Sequence, residues 1–525
     1  MSERSVAYFC MEYGLDSDFK IYAGGLGILS GDTLKAAKER NDNIIGIGVL
    51  WQEGYTEQVI EDGKAVDRSI KNKYDFLEET GIEFDVEVNG EEIRCISYRV
   101  TDFDNKPLYL IDTDTEENNE WARNLTMRLY GGSWEEQIIQ KILFAKAGLK
   151  LVDELDFEPD IYHMSETDSV FVGLELLQKE LDTWDLDKAL KEVQEVVRFT
   201  THTPISAGNP KYNYSLLHKV GYPEKIPYQT LEKIADKPFN TTLAGLRLSK
   251  RANAVSKRHL KTVKDMWSRY MKTEPIVGVT NGIHIPTWMS EKIKRAEERE
   301  DLWEAHQEHK KELSDHMESD IDMDKPLLGF AKRMPEYKRP DLIFHDMNKF
   351  EEIKNEINIV FSGKAHPDYR ESKERVEKIV GYSERFDSVH WIENYSMEDA
   401  EKLVKGCDVW LSCPVPPKEA CSTSVMKAAV NGVLNLSTLD GWWWEACNHG
   451  ENGWQYGDGK TFEERGEQDK KDAQELYRVI EEELIPAYGD RDRWLDMMDS
   501  SIKTVKDSYT AKKMLAEYYL KVWSK

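Results

Sequence analysis

The segment PPKEACSTSVMKAAVNGVLNLSTLDGWWWE at 416–445 sets a lysine, Lys427, in a run with helical character, shortly after Ser422, Thr423 and Ser424. An amine among Val, Met and Ala is pushed toward its neutral form by desolvation, the state that condenses with an aldehyde. Those three residues offer hydroxyls and amides just before the helical run. The plainer alternative is a lysine on an amphipathic helix that extends its ammonium to water. A second cluster, GFAKRMPEYKRP, places Lys332, Arg333, Lys338 and Arg339 beside a strand end. Arginine grips a phosphate with a planar fork and lysine adds a mobile point charge; a solvated basic patch would have the same composition. A third feature is the GGLG run at 24–27, whose amides can approach an anion without side-chain obstruction. An ordinary turn uses the same residues. The glycines Gly24, Gly25, Gly27 and Gly31 do not fit GxGxxG, which disfavours a nicotinamide dinucleotide site.

His163 and His202 each follow an apolar run and are candidates to donate to a sugar hydroxyl or a phosphate, although isolated histidines more often serve packing. Glu12, Glu166, Asp168, Glu393 and Glu419 are candidates for sugar-hydroxyl recognition rather than a defined acid/base pair. No compact metal-ligand pattern is present, and the six cysteines show neither zinc-ribbon nor CxxC spacing, so they read as reduced core thiols.

The elements that must position these groups are those of an α/β protein. VAYFCMEY reads as a buried strand, YAGGLGILSGD as a glycine-rich loop and LKAAKER as a helix. IIGIGVLW, DIYHMS, VVRFTTHTP and PIVGVTNG are further strand signals, and 86–110 resembles antiparallel strands or a hairpin. After a charged helical stretch at 289–326 the pattern restarts. PLLGFAKR, INIVFSGKAHP, SVHWIEN, CDVWLSCP and VLNLSTLDG are apolar runs separated by helical segments, the signature of a second doubly wound parallel sheet. Residues 463–525 read as helical. The expected division is an amino-terminal domain over 1–315, a second domain over 320–485, and terminal helices over 486–525 that could cross back to the first.

The 525 residues carry 98 Asp and Glu against 71 Lys and Arg, a formal charge of -27 that repels nucleic acid and anionic membranes but leaves room for a small phosphate in a local positive cavity. No basic leader precedes an apolar signal segment, and Ile44 to Trp51 is too short to span a bilayer, so a cytoplasmic enzyme is expected.

MEYGL, YAGGLGILSGD, FTTHTPISAG, VTNGIHIPTW, GFAKRMPEYKR, FSGKAHP, EACSTSVMK and NGVLNLSTLDGWW occur in the order found in glycogen and α-glucan phosphorylases, and the chain resembles the shorter microbial branch of that family from residue 7 to about 455. The resemblance implies a GT-B fold, two Rossmann-like domains facing one another across a deep catalytic cleft, with pyridoxal 5'-phosphate as cofactor. It implies retaining phosphorolysis of α-1,4-glucan (maltodextrin, glycogen or starch) by inorganic phosphate, giving glucose 1-phosphate. By the same comparison Lys427 carries the cofactor, and Arg333 and Lys338 organise the substrate and cofactor phosphates. Gly24 and Gly25 lie in the loop over the phosphate site, with Thr423 in the opposing loop. His202, Asn281 and Glu419 contact the glucosyl group, and Glu12 holds the amino-terminal acidic position. A homodimer stays open to the chain.

Three positions depart from the family pattern. Ser422 and Val425 stand where ASGTSGMK has glycine, and Asp168 replaces the second histidine of an HMNEGH-like segment. Val425 would be strained at positive φ, whereas Ser422 is compatible if its dihedrals are ordinary. Two alternatives remain: a nucleotide-sugar-dependent glucosyltransferase, since the implied fold hosts both reactions, disfavoured by Lys427; and a non-catalytic glucan-binding relative, which the three departures motivate.

Overall fold

The computed structural model describes residues 4–205, 208–270, 276–319 and 321–524. Ser206 and Ala207 of the FTTHTPISAG segment lie outside the described residues. The chain divides into two compact units, one formed by Met1–Tyr55, Ser69–Thr280 and Ala511–Lys525, the other by Thr56–Arg68 and Asn281–Thr510. The helical stretch between residues 281 and 315 therefore packs with the second unit.

The first unit is built on a nine-stranded sheet. Its strands are β1 (Val6–Phe9), β2 (Ile44–Val49), β3 (Glu78–Val88), β4 (Glu91–Val100), β5 (Leu108–Asp112), β6 (Ile161–Ser165), β7 (Val197–Thr200), β8 (Arg251–Ala254) and β9 (Val277–Gly278). Their spatial order is β9-β8-β7-β6-β1-β2-β5-β4-β3. β1 runs parallel to both β2 and β6, while β3, β4 and β5 form an antiparallel edge. β1, β2, β6 and β7 are buried almost throughout, which is why they read as continuous apolar runs rather than alternating ones. The 86–110 reading is met by the β3–β4 hairpin and the start of β5.

The glycine-rich run differs from its sequence reading. Helix α1 spans Gly25–Arg40, so most of GGLGILSGD is helical and only the residues up to Gly24 form the turn. Close packing supplies the reason. A Cβ on Gly31 would stand 2.1 Å from the Gly14 carbonyl oxygen, so only a glycine lets α1 lie this near the segment after β1.

The second unit holds a six-stranded parallel sheet. Its strands are β10 (Leu327–Ala331), β11 (Asn358–Ser362), β12 (Val389–Ile392), β13 (Val409–Ser412), β14 (Leu434–Thr438) and β15 (Gly453–Tyr456), in the order β12-β11-β10-β13-β14-β15. That is the dinucleotide-fold order 3-2-1-4-5-6, which reverses between β10 and β13. Two helices matter below: α2 (Arg299–His316) and α3 (Thr423–Ala429). The hairpin Glu57–Glu61/Lys64–Arg68 packs in this unit, where the Gln58 amide accepts from Ala365 N at 2.8 Å and Lys373 pairs with Asp67 at 2.5 Å. Both units are Rossmann-like, and the protein has a GT-B-type two-unit α/β architecture. Among the described residues, no helix is long and apolar enough to cross a membrane.

Candidate active site

In open parallel sheets ligands bind beyond the carboxyl ends of the strands where the order reverses. In the first unit that point lies between β1 and β6, and the candidate residues cluster there. Glu12, just beyond β1, is buried; its carboxylate accepts from Ala23 N at 2.7 Å and Gly24 N at 3.1 Å, and from the Tyr130 hydroxyl at 2.9 Å. Glu12 thus fixes the turn that opens α1. The space a Cβ on Gly25 would occupy has no atom within 4 Å, so the backbone there is open to a ligand.

Beyond β6, Glu166 takes φ 67, a left-handed conformation costly for a residue other than glycine. Its side chain repays the geometry locally: it accepts from Thr167 N and His202 N, both at 2.9 Å, and from the Thr203 hydroxyl at 3.2 Å. The loops after β6 and β7 are tied through this one carboxylate. Burial pushes the Glu166 carboxyl up to about 7. His202 contacts Ser165 Oγ through Nε2 at 3.2 Å, and burial lowers its pKa to about 3, so its imidazole is a neutral hydrogen-bonding group.

His163 and Asp168 take other roles. His163 is fully buried, stacked on Tyr8 and bonded to Thr200 and Trp523, a core residue with no exposed ring atom to offer. Asp168 pairs at 2.9 Å with Lys141, which also donates to the Tyr212 hydroxyl at 2.7 Å. Lys141 and Tyr212 are buried, so the carboxylate standing at the family's histidine position has its counter-ion built into the core.

In the second unit the reversal between β10 and β13 gathers the cations and the lysine motif. Lys332 follows β10 and is buried; its ammonium donates to the hydroxyls of Ser412, at the end of β13, and of Ser422, the latter at 3.3 Å. Lys338 ion-pairs with Glu419, whose own N–H donates to Asp440 at 2.8 Å. Burial works against the Lys338 charge, yet Glu419 and Tyr337 outweigh it and its pKa is raised; Arg333 lies near enough to oppose them. Arg333 itself is exposed. Arg339 separates from the others: it is buried and spends its guanidinium on the carbonyls of Cys413 and Pro414 and on Asp469 and Asp472. Glu393 is exposed.

Lys427 lies on α3, buried, with its Nζ 3.8 Å from the centroid of the Trp288 ring. It does not extend to water as a surface-helix lysine would. Thr423 opens α3 and is partly exposed. Asn281 is buried and its Oδ1 has no hydrogen-bond partner, an acceptor left over in the same unit. Of the WWW run, Trp442 and Trp443 are core residues and Trp444 is exposed.

The strain expected at Val425 falls elsewhere. Val425 lies within α3, and its carbonyl accepts from Asn435. Ser422 instead adopts φ 71, ψ 67, at a cost of roughly 1 kcal/mol for an L-residue other than glycine. The glycine replaced at 425 therefore carries no positive φ here, whereas the one replaced at 422 does.

These groups fit pyridoxal phosphate. The unit offers a buried amine on Lys427, a flat indole beside it, a partnerless acceptor on Asn281, and a buried cation, Lys332, solvated only by hydroxyls. Burial, reinforced by Lys338 and opposed by Glu419 and Cys413, lowers the Lys332 pKa to about 7. The folded chain thus disfavours the ammonium relative to the unfolded chain, fully below about pH 7 and progressively less as pH rises toward the ordinary lysine value. Lys332→Met is accordingly expected to raise the thermal midpoint of the cofactor-free chain more at pH 6 than at pH 9; an equal shift at both would show that burial does not govern this lysine.

The comparisons with known proteins fall in line with this geometry. Residues 237–478 match the family model described as carbohydrate phosphorylase. The chain is 33% identical to the glycogen phosphorylase of Aquifex aeolicus over 100% of its own length and 86% of that protein. It is 34% identical to the maltodextrin phosphorylase of Thermococcus litoralis, over 100% of the chain and 71% of the relative. An uncharacterized protein of Methanocaldococcus jannaschii is 30% identical over 99% of the chain and 100% of its own length.

Proposed function

Because the chain belongs to the carbohydrate phosphorylase family, among the glycogen and maltodextrin phosphorylases, we propose that it transfers terminal α-1,4-glucosyl units of an α-glucan to inorganic phosphate and releases α-glucose 1-phosphate. The observation that carries this reading is the reversal point of the second sheet, where Lys332, Lys338 and Glu419 converge in the unit that also buries Lys427 against Trp288.

Phosphorolysis breaks the bond between C1 and the glucan oxygen, forms one between C1 and a phosphate oxygen, and delivers one proton to the departing oxygen. Lys427 would hold pyridoxal 5'-phosphate through its amine, and the bound cofactor would bring a second phosphate able to serve as proton donor and acceptor. The chain's task is to make two anions tolerable near a carbon that develops positive charge. Lys332, Arg333 and Lys338 offset the repulsion, and their burial or proximity to buried groups strengthens each contact relative to water. Glu419 and Asn281 are suited to sugar hydroxyls: a carboxylate already held by Lys338, and a buried amide with an acceptor to spare.

In the first unit, neutral His202 is suited to hydrogen-bond a sugar hydroxyl without adding charge, and Glu12 fixes the turn through Ala23 N and Gly24 N, leaving the backbone at Gly25 open to an anion. Retention at the anomeric carbon and a cytoplasmic location belong to the same proposal, the latter supported by six cysteines that are all free thiols.

The purified chain, stripped of cofactor and reloaded, is expected to release glucose 1-phosphate from maltodextrin only when phosphate and pyridoxal phosphate are both supplied. Turnover that ignores the cofactor, or glucosyl transfer from a nucleotide sugar in its place, would sink the reading. Stoichiometric cofactor binding without turnover would favour a glucan-binding relative.

A further inference from the structure

Lys332 is a buried ammonium without a counter-ion. Its relative exposure is 7%, its hydrogen bonds go to two hydroxyls, and among the described residues no carboxylate lies within ion-pair reach. Glu419, whose field reaches it, is bonded to Lys338. Hydroxyls solvate a cation but do not neutralise it, so among the described residues no carboxylate competes with an incoming anion for Lys332.

The two hydroxyls arrive at different cost. Ser412 ends β13, buried in regular extended backbone. Ser422 is held left-handed at φ 71, where glycine would sit without penalty. What serine adds over glycine is one hydroxyl, and that hydroxyl lies 3.3 Å from the Lys332 ammonium. Accepting from Lys332 leaves the Ser422 proton free to be donated to an anion.

We propose that Ser412 and Ser422 form a hydroxyl cradle that holds Lys332 for a phosphoryl group, with Ser422 a positioning residue whose left-handed backbone is the cost of placing its hydroxyl there. The inference rests on the proposed function for the identity of the ligand, a phosphate monoester of the cofactor or the phosphate of the substrate. In either case the chemistry is that of a dianion met by one ammonium and one hydroxyl proton.

Two variants separate backbone from hydroxyl. Ser422→Gly removes both the strain and the hydroxyl, and Ser422→Ala removes the hydroxyl alone. The cofactor-free Gly variant is expected to melt higher than the wild type and the Ala variant not to. Titrated by absorbance, both should bind pyridoxal phosphate roughly tenfold more weakly, as for a lost hydrogen bond to a charged group, while pyridoxal, which lacks the phosphate, binds as before. If that ratio is unchanged but calorimetry shows cofactor-loaded protein binding inorganic phosphate about tenfold more weakly, the cradle serves the substrate phosphate and the proposal stands. It is overturned if both variants hold pyridoxal phosphate and inorganic phosphate as tightly as the wild type, or if pyridoxal weakens equally. A wild-type chain that binds neither pyridoxal nor pyridoxal phosphate would instead defeat the proposed function, and the inorganic phosphate titration would still decide the cradle.

Discussion

Lys427→Ala is expected to lose stoichiometric retention of pyridoxal phosphate and to lower phosphate-dependent release of glucose 1-phosphate from maltodextrin by on the order of 10³-fold or more. The size of the effect follows from position. Lys427 is buried, its ammonium lies against the face of Trp288, and its helix is braced by Asn431, which donates to the carbonyls of both Lys427 and Trp288 at 2.9 Å and 2.8 Å. An alanine removes the amine that this frame holds against Trp288 and leaves a gap in its place. Lys427→Arg is the sharper control: it keeps charge and approximate volume but cannot condense with an aldehyde. Both variants should fold, as shown by wild-type circular dichroism, and both should be inactive. Activity in the arginine variant within about tenfold of wild type would remove Lys427 from the chemistry and leave it a packing residue.

Much of this arrangement is legible in the sequence. The buried strands of both sheets appear as short apolar runs, because a parallel strand covered on both faces has no polar side to show. The segments that carry Lys332, Lys338, Glu419 and Lys427 come after such runs, so placing them beyond strand ends needs only the order of elements. β15 carries no such signal: Gly453–Tyr456 has four residues, one of them Gln455, and follows a polar loop.

Other features have no local signal. Glycine marks turns on average, yet Gly27 and Gly31 serve the close packing of a helix, a requirement imposed by Tyr22 and Gly14 across the fold. Lys141 sits in a helical run of apolar residues, and only tertiary structure brings it to Asp168. The exchange of strain between Val425 and Ser422 is of the same kind. A family pattern gives the residue type at each position, while the sign of φ depends on how this loop closes against Lys332 and Ser412.

The largest loss of stability is expected from a residue far from any ligand. Asp408, immediately before β13, is fully buried; its carboxylate pairs with Lys310 at 2.8 Å and His306 at 2.9 Å, both on α2, and accepts from the backbone N–H of Leu327 at 2.7 Å. Lys310 is itself buried, so Asp408→Ala would strand an ammonium in the core and destabilise the second unit by about 3–5 kcal/mol. A buried pair is costly to assemble but more costly to halve. The double variant Asp408→Ala/Lys310→Met should therefore recover most of the loss in denaturant unfolding, and a double variant no more stable than the single would refute the ion-pair account. The triad also bears on function through register. Leu327 begins β10 and Asp408 precedes β13, adjacent strands paired at Leu328 and Val409, and the far ends of these two strands present Lys332 and Ser412 to each other. Cofactor retention should consequently weaken in Asp408→Ala at temperatures below its unfolding transition and return in the double variant, linking a charge cluster at the amino ends of the strands to the anion site at their carboxyl ends.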